Sequence, residues 1–505
     1  MSTLLVLLFF AFLTLISYFF SLKYYWLKKN VHSLSIFSII GTLKMLTLQM
    51  SIGDFLWNAY NRTENKLVGF HIGATPSVLL KDVNLIKTIL VKDFENFNHR
   101  TVATNYEGDP LGTKMMFALR NPSWRLMRKS FSATFTTGKI RRMYPNLNKV
   151  GDNLVDFIKT HENRKLDAKE MFHTFSTDVI TANALGIEAN SFMDNDAISR
   201  TFTKKIFPCN LWRGIQFISY FVLPNLVEKF NMKFIDLEGS GFVVKMIEEI
   251  KRIRNRDDTN IDDFVGKILE LDKKQIYIQD KNEIYAQALQ FWVAGFETIG
   301  SSLMFLFHEL AHHPEIQEKL REEIQTTLLD NDGYISYNTI RRMTYLNMVT
   351  EGILRNRLII SYYSIISIFL ETYRKYPVLP FLDRVCLNDY QVPNTNITID
   401  RGTNVYISIQ GVNYDPNNFT HPNKFDPERF NSANIKDNLL NITFGQGPRH
   451  CIGLRFGKAA ILVGVIKILS KFRVVPVDKY KDMEFDGRIF LLSPRKPIYL
   501  KFESL

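Results

Sequence analysis

The hydrophobic pattern divides the chain into one uncharged run and a long body of mixed periodicity. Leu4 to Phe20 carries no charge and is interrupted only by Thr14, Ser17 and Tyr18. With its flanks it reaches the ~20 residues a helix needs to cross a bilayer. Lys23, Lys28 and Lys29 follow, with Tyr24, Tyr25 and Trp26 between them. Basic residues mark the cytoplasmic side, and aromatic rings favour the interface. A cleaved signal peptide would want a basic start and a small-residue cleavage site, whereas Met1, Ser2 and Thr3 are uncharged and large aromatics follow the run. The pattern predicts a retained transmembrane anchor over residues 1–22 and a body over residues 23–505 on the cytoplasmic face.

Within the body, short β-like runs (Leu67–Ile72, Val78–Leu80) mix with turns up to about residue 100. From about 120 to 330 the periodicity is helical, and Glu283–His312 is its longest stretch. Phe291, Ala294, Gly295, Thr298 and Ser302 fall on one face of that stretch. Pro314 opens a further helix, and beyond Pro377 come short strands and loops rich in Asn, Asp and Pro. A last helix is predicted from near Gly453 to about Ser470. The expected fold class is mainly α, of the α+β type with small β-sheets, with no internal repeat and no linker that would divide the body.

Composition changes this picture little. The 505 residues are 46% hydrophobic and 23% charged, with 40 Phe, enough apolar material for a large core or an apolar ligand pocket. The net charge of +12 is spread over residues that often neighbour Asp or Glu. Without a basic arm, anionic lipid or an acidic protein ranks above nucleic acid as its partner. Cys209, Cys386 and Cys451 form no CxxC pair, so neither a disulfide framework nor a zinc ribbon is supported and a reducing compartment fits. Cys209 and Cys386 read as small buried hydrophobes.

Cys451 stands in a different setting. It lies in Phe444-Gly-Gln-Gly-Pro-Arg-His-Cys-Ile-Gly-Leu-Arg-Phe-Gly457. A thiolate ligand must be ionised, and a following helix N-terminus offers N–H groups and a positive dipole end. Gly445, Gly447 and Gly453 permit tight turns and close approach to a flat cofactor. Arg449 can pair with a carboxylate on it. The pattern Phe444-x-x-Gly447-x-Arg449-x-Cys451-x-Gly453 resembles the haem-binding loop of the cytochrome P-450 family. The resemblance implies the mainly α haem-thiolate fold, haem b (iron protoporphyrin IX) as cofactor, and Cys451 as the axial ligand, a thiolate that favours O–O cleavage.

Further segments, spanning about residues 105 to 500, match the same family in order. Ala294-Gly-Phe-Glu-Thr298 looks like its oxygen-activation motif: Gly295 lets the helix lie against the haem, and Glu297 and Thr298 serve proton delivery. Glu371-Thr-Tyr-Arg374, with Arg429 of Phe425-Asp-Pro-Glu-Arg-Phe430, resembles the structural trio of its K-helix region. Trp124-x-x-x-Arg128, Arg384 and Arg449 would meet the propionates. By position in the resemblance, Phe117, Phe291, Phe296, Phe381 and Leu491 would line the substrate pocket. Asp109-Pro-Leu, Phe135-Thr-Thr-Gly-Lys139 and Phe381-Leu-Asp-Arg-Val-Cys386 look like the insect microsomal, detoxification-type branch. The implied activity is monooxygenation of an apolar small molecule, a xenobiotic or an endogenous lipid or hormone. Electrons would come from NADPH through a membrane-bound NADPH–cytochrome P-450 reductase on a basic face (Arg125, Lys129, Arg142, Lys458), with cytochrome b5 as a further donor. The implied location is the endoplasmic reticulum membrane.

Departures from the pattern are as specific as the matches. No Pro precedes Pro76, where microsomal members carry a proline-rich hinge, and Asn413 stands where His is common. Residues 350–370 intervene before Glu371, including the β-branched run Ile359–Leu370, poorly suited to extending a helix; they read as an atypical insertion, such as a translated intron. An inactive haem-binding or misassembled product is the alternative this raises. His308-Glu-Leu-Ala-His312 also fits the HExxH pattern of zinc proteases, with Glu309 as general base, though without a convincing third ligand.

Overall fold

The computed structural model describes residues 2–73, 75–194, 211–256, 263–340, 363–430, 442–478 and 483–505. Helices pack around the long central helix Asn282–His312, and three small sheets complete the described residues. That central helix is 31 residues long and buried on most of its faces from Ile299 onward. Two of its glycines make close packing possible. A Cβ at Gly295 would lie 2.3 Å from Ile180 Cδ1, and one at Gly300 would lie 2.2 Å from His173 Cδ2. Both neighbours belong to the helix Ala168–Ile180. Glycine costs about 1 kcal/mol in a helix interior; here the absent side chains let two helices meet without displacing rings.

The principal sheet runs in the order Leu67–Ile72, Thr75–Leu80, Asn404–Ser408, Phe381–Val385. The outer pairings are antiparallel and the central one, Ser77↔Asn404 through Leu80↔Ile407, is parallel. Its strands are almost wholly buried, which explains why they read as continuous apolar runs.

The N-terminal helix, Ser2–Lys28, has 27 residues. Among the described residues no helix is long and apolar enough to cross a membrane; the side chains of most of Leu4–Phe20, on which that expectation rests, lie outside them. The end of this helix is clamped to the body without prolines. Trp26 is buried and donates Nε1 to Phe70 O at 3.2 Å, and its ring occupies the space a side chain at position 69 would need. Tyr25 Oη and Lys29 Nζ both reach Asp400, at 2.7 and 2.5 Å.

The expectation for Ile359–Leu370 needs correction. Residues 350–362 lie outside the described residues, as does Cys209. Residues 363–370 are the first two turns of the helix Tyr363–Lys375, which carries Glu371. Ile365, Ile366, Ile368 and Phe369 are buried in the core, and burial of that size outweighs the small helix penalty of β-branched residues.

The trio expected around Glu371 is assembled. Arg374 forks onto Glu371, with Nε and Nη2 at 2.7 and 2.8 Å, and Arg429 Nε joins at 3.1 Å. Glu371 also accepts from Asp426 N–H. Asn413 fills the position where His is common: it donates to Arg374 O at 2.9 Å while its own carbonyl accepts from Arg374 at the same distance.

The zinc-protease reading fails on the same geometry. Glu309 is buried and accepts from Lys375 Nζ at 2.7 Å and from the Tyr376 hydroxyl. Burial would raise its carboxyl, but Lys375 and these hydrogen bonds prevail and hold it below the usual carboxylate range. It is a structural counter-ion rather than a base facing water. His312 turns Nδ1 back to His308 O, and among the described residues no group of His, Cys, Asp or Glu could hold a metal ion.

Candidate active site

Cys451 sits in a loop closed by its own N–H, which donates to Phe444 O at 2.8 Å. The loop turns through Gly445 and Gly447, both left-handed at φ +73° and +69°. At Gly447 a Cβ would lie 2.0 Å from Leu90 O, a backbone atom. Gly447→Ala should therefore cost about 2 kcal/mol or more and lower the melting temperature and the yield of cofactor-loaded protein. Gly241→Ala, with nothing within 4 Å of the added Cβ and away from the cavity lining, should leave both within error; a loss no larger for Gly447→Ala would show that the turn tolerates a side chain.

The helix Leu454–Leu469 begins three residues after Cys451. Cys451 is enclosed by protein yet exposed to an internal cavity of about 300 Å³. Burial pushes its thiol up, opposed by the Gly453 and Leu454 N–H groups and by Arg128 and Lys458. In the protein alone burial prevails; the sequence reading saw only the opposing side.

The facing wall of the cavity is the central helix. Phe291, Ala294, Gly295, Thr298 and Ser302, the face read from the sequence, all line it. Thr298 Oγ1 donates to Ala294 O at 2.5 Å, and Ser302 Oγ donates to Thr298 O at 2.6 Å. Gln287 and Gln290 extend this face and tie it to the loop above: Gln287 Oε1 accepts from Met116 N–H at 3.1 Å and Gln290 Oε1 from Phe117 N–H at 3.0 Å. The helical spacing that gave the five residues would have included both.

Several expected residues do not line the cavity. Phe296 lies two positions from Ala294, hence on another side of the helix, and packs against His173 at 5.7 Å between ring centroids. Phe381 packs on Phe221 and Tyr406. Leu491 is only partly buried, apart from the cavity wall. Gly447 serves the turn. Gly295 does line the cavity, but its missing side chain makes room for Ile180. Glu297 points away from the cavity toward His173, with Oε2 3.6 Å from Nε2; burial lowers the His173 imidazole, opposed by Glu297.

A cluster of cations forms one end. Arg449 is buried, donates to Asn98 O and Leu119 O, each at 2.7 Å, and lies 4.4 Å from the centre of the Trp124 ring. Arg128 Nη1 donates to His450 O at 2.8 Å, which fixes the loop beside the cysteine. Arg384 is fully buried just behind the lining, its Nε without a protein partner. Arg100, which no sequence motif revealed, lines the cavity and pairs with Asp383 at 2.8 Å. Burial, with repulsion from Arg100, drives the Arg384 guanidinium down to about 9. Burial and the repulsion of Arg100 and Arg384 lower Arg449 strongly.

Four guanidiniums, those of Arg384 and Arg449 buried and those of Arg100 and Arg128 partly so, against the carboxylate of Asp383 leave a surplus of positive charge among the described residues. The donor set fits haem: a thiol on one wall, apolar rings and Gly453 around it, and cations for two propionates at one end. Cys451 would ligate iron; Arg100, Arg128, Arg449 and Trp124 would hold the propionates, with Arg384 supporting from behind. Bound there, haem supplies activation of O2 and transfer of one of its oxygen atoms.

Comparison with known proteins agrees with this chemistry. The family model described as Cytochrome P450 matches residues 32–362 and 367–502. Cytochrome P450 6k1 of Blattella germanica is 34% identical over 504 residues, covering 95% of this chain and 92% of the relative. Cytochrome P450 6a2 of Drosophila melanogaster is 31% identical over 502 residues, covering 95% of each.

Proposed function

The chain belongs to the cytochrome P450 family, and on that premise we propose that this monooxygenase acts on an apolar small molecule from the endoplasmic reticulum membrane, its body facing the cytoplasm. One oxygen atom of O2 enters a C–H bond of the substrate; the other leaves as water with two protons and two electrons from NADPH. The observation that carries the reading is the opposition, across one apolar cavity, of the Cys451 thiol and the Thr298 face of the central helix.

Each residue then has a task. Phe117, Phe131, Phe135, Phe264 and Phe291 present rings to the cavity, which favours an apolar ligand and excludes bulk water. Thr298 holds a hydroxyl at the wall, oriented by Ala294 O, where it can relay a proton. Glu297 acts from behind, paired with His173. The reductase, with cytochrome b5 as a further donor, docks on the basic face that includes Arg125, Lys129, Arg142 and Lys458. Arg125 is already paired with Glu95 there, and Lys458 lies 6.0 Å from the centre of the Phe444 ring, beside the cysteine loop. The resemblance of Asp109-Pro-Leu, Phe135-Thr-Thr-Gly-Lys139 and Phe381-Leu-Asp-Arg-Val-Cys386 to the insect detoxification-type branch supports a detoxification role.

Residues 1–22 are proposed as the anchor, and the segment through residue 370 as an insertion that the transcript either carries or skips. The test is the reduced, CO-bound difference spectrum of the full chain. A red-shifted Soret band of the thiolate type is expected. A histidine-like band would overturn the assignment of Cys451, and a chain that binds no haem until residues 350–370 are deleted would mark that segment as foreign to the working enzyme.

A further inference from the structure

A second hollow, of about 620 Å³, opens beside the C-terminal end of the N-terminal helix. Three cations line it: Lys23 from that helix, Lys44 from the helix Ser35–Leu46, and Arg62. No carboxylate is among its lining residues, and among the described residues none of the three cations forms an ion pair. Arg62 lies 4.5 Å from the centre of the Phe37 ring, which holds the guanidinium at the hollow without neutralising it.

The start of the helix Ser35–Leu46 also faces this space, and no side chain caps it. Its first N–H groups and positive dipole end add to the three cations. The rim is apolar: Ile36 and Ile40 line the hollow and are 63% and 50% exposed, and Leu43, on the same helix, is 63% exposed. Net positive charge inside and aliphatic side chains at the edge suit a molecule with an anionic head and a hydrocarbon tail. We propose that this hollow binds the phosphate of an anionic phospholipid. A zwitterionic head would bring its own ammonium among three cations, so the site selects net negative charge. The placement of the hollow at the lipid surface rests on the membrane reading of residues 1–22; its chemistry does not.

The experiment separates the two. Full-length, haem-loaded protein in neutral detergent is titrated with dioctanoyl phosphatidylinositol, which is anionic and carries no ammonium, with dioctanoyl phosphatidylcholine and with inorganic phosphate by calorimetry, and vesicle flotation is measured in parallel. Phosphatidylinositol should bind at least about tenfold more tightly than either alternative, and Lys44→Gln with Arg62→Gln should abolish that preference. The CO-difference spectrum checks that the variant is intact; if the pair misfolds, Lys44→Gln alone should reduce the preference. Equal binding of the two lipids, or an unchanged preference in an intact variant, overturns the proposal. Phosphate binding as tightly as the lipid also overturns it, leaving a simple anion site. Lipid selectivity without flotation upholds the site and overturns the membrane reading alone.

Discussion

Cys451→Ser is expected to remove the thiolate-type Soret band and to lower NADPH-dependent product formation by on the order of 10³-fold or more, as loss of a group at a reacting centre does elsewhere. Serine matches the shape of cysteine, so the loop, closed by the backbone bond from position 451 to Phe444 O, should persist. What it lacks is an acidity that its surroundings could exploit. At Cys451 burial opposes ionisation while two N–H groups and two cations favour it, and bound iron would tip that balance, because a thiol gives up its proton to ligate a metal. A hydroxyl starts too far from ionisation for the same surroundings to matter. The check is the CO spectrum with turnover at matched haem content. A variant that kept both would show that another side chain ligates iron.

Glu371→Gln should be the most damaging substitution distant from the cavity. Glu371 is fully buried and takes two bonds from Arg374 and one from Arg429. Removing one partner of a buried ion pair costs about 3–5 kcal/mol, because the remaining charge stays buried. Here two guanidiniums would be left, and Arg374 is 2% exposed. The expected result is a denaturation midpoint lowered in proportion, with most of the expressed chain lacking haem. Arg429→Lys, at the partly exposed end of the trio, should be several-fold milder. A loss below about 1 kcal/mol for Glu371→Gln would show that the network adds nothing beyond its desolvation cost.

What could be read in the sequence was what is local in it. The Cys451 loop has its ligand, glycines and arginine within one turn-and-helix unit. The central helix shows its cavity face by spacing alone. Glu371 and Arg374 are helix neighbours. The rest depends on segments distant in the chain. Arg100 becomes part of the cation cluster only because Asp383, on a strand, draws it there. His173 meets Glu297 only because Gly300 opens a groove for it. Phe381 and Phe296 have the residue type expected of pocket walls, but strand register and helix phase turn them elsewhere. His308-Glu-Leu-Ala-His312 shows the converse error: a local pattern with the right spacing, whose central carboxylate is already committed to Lys375 and Tyr376. The first two turns of the helix Tyr363–Lys375, unlike its Glu371–Arg374 end, were not legible because propensity is a weak guide where a face is buried.

The surplus of arginines also bears on the order of events in the life of the chain. Like charges held together in a dry interior are unfavourable until counter-charges arrive, and the protein alone provides one, on Asp383. Newly made polypeptide must therefore either leave this end of the cavity loose or pay for closing it. Two propionates remove that conflict, so acquisition of haem is a step of folding and not a sequel to it. The abundance of this protein should then follow the supply of haem in the cell, with unfilled chains offered to proteolysis first at the segment around Arg449.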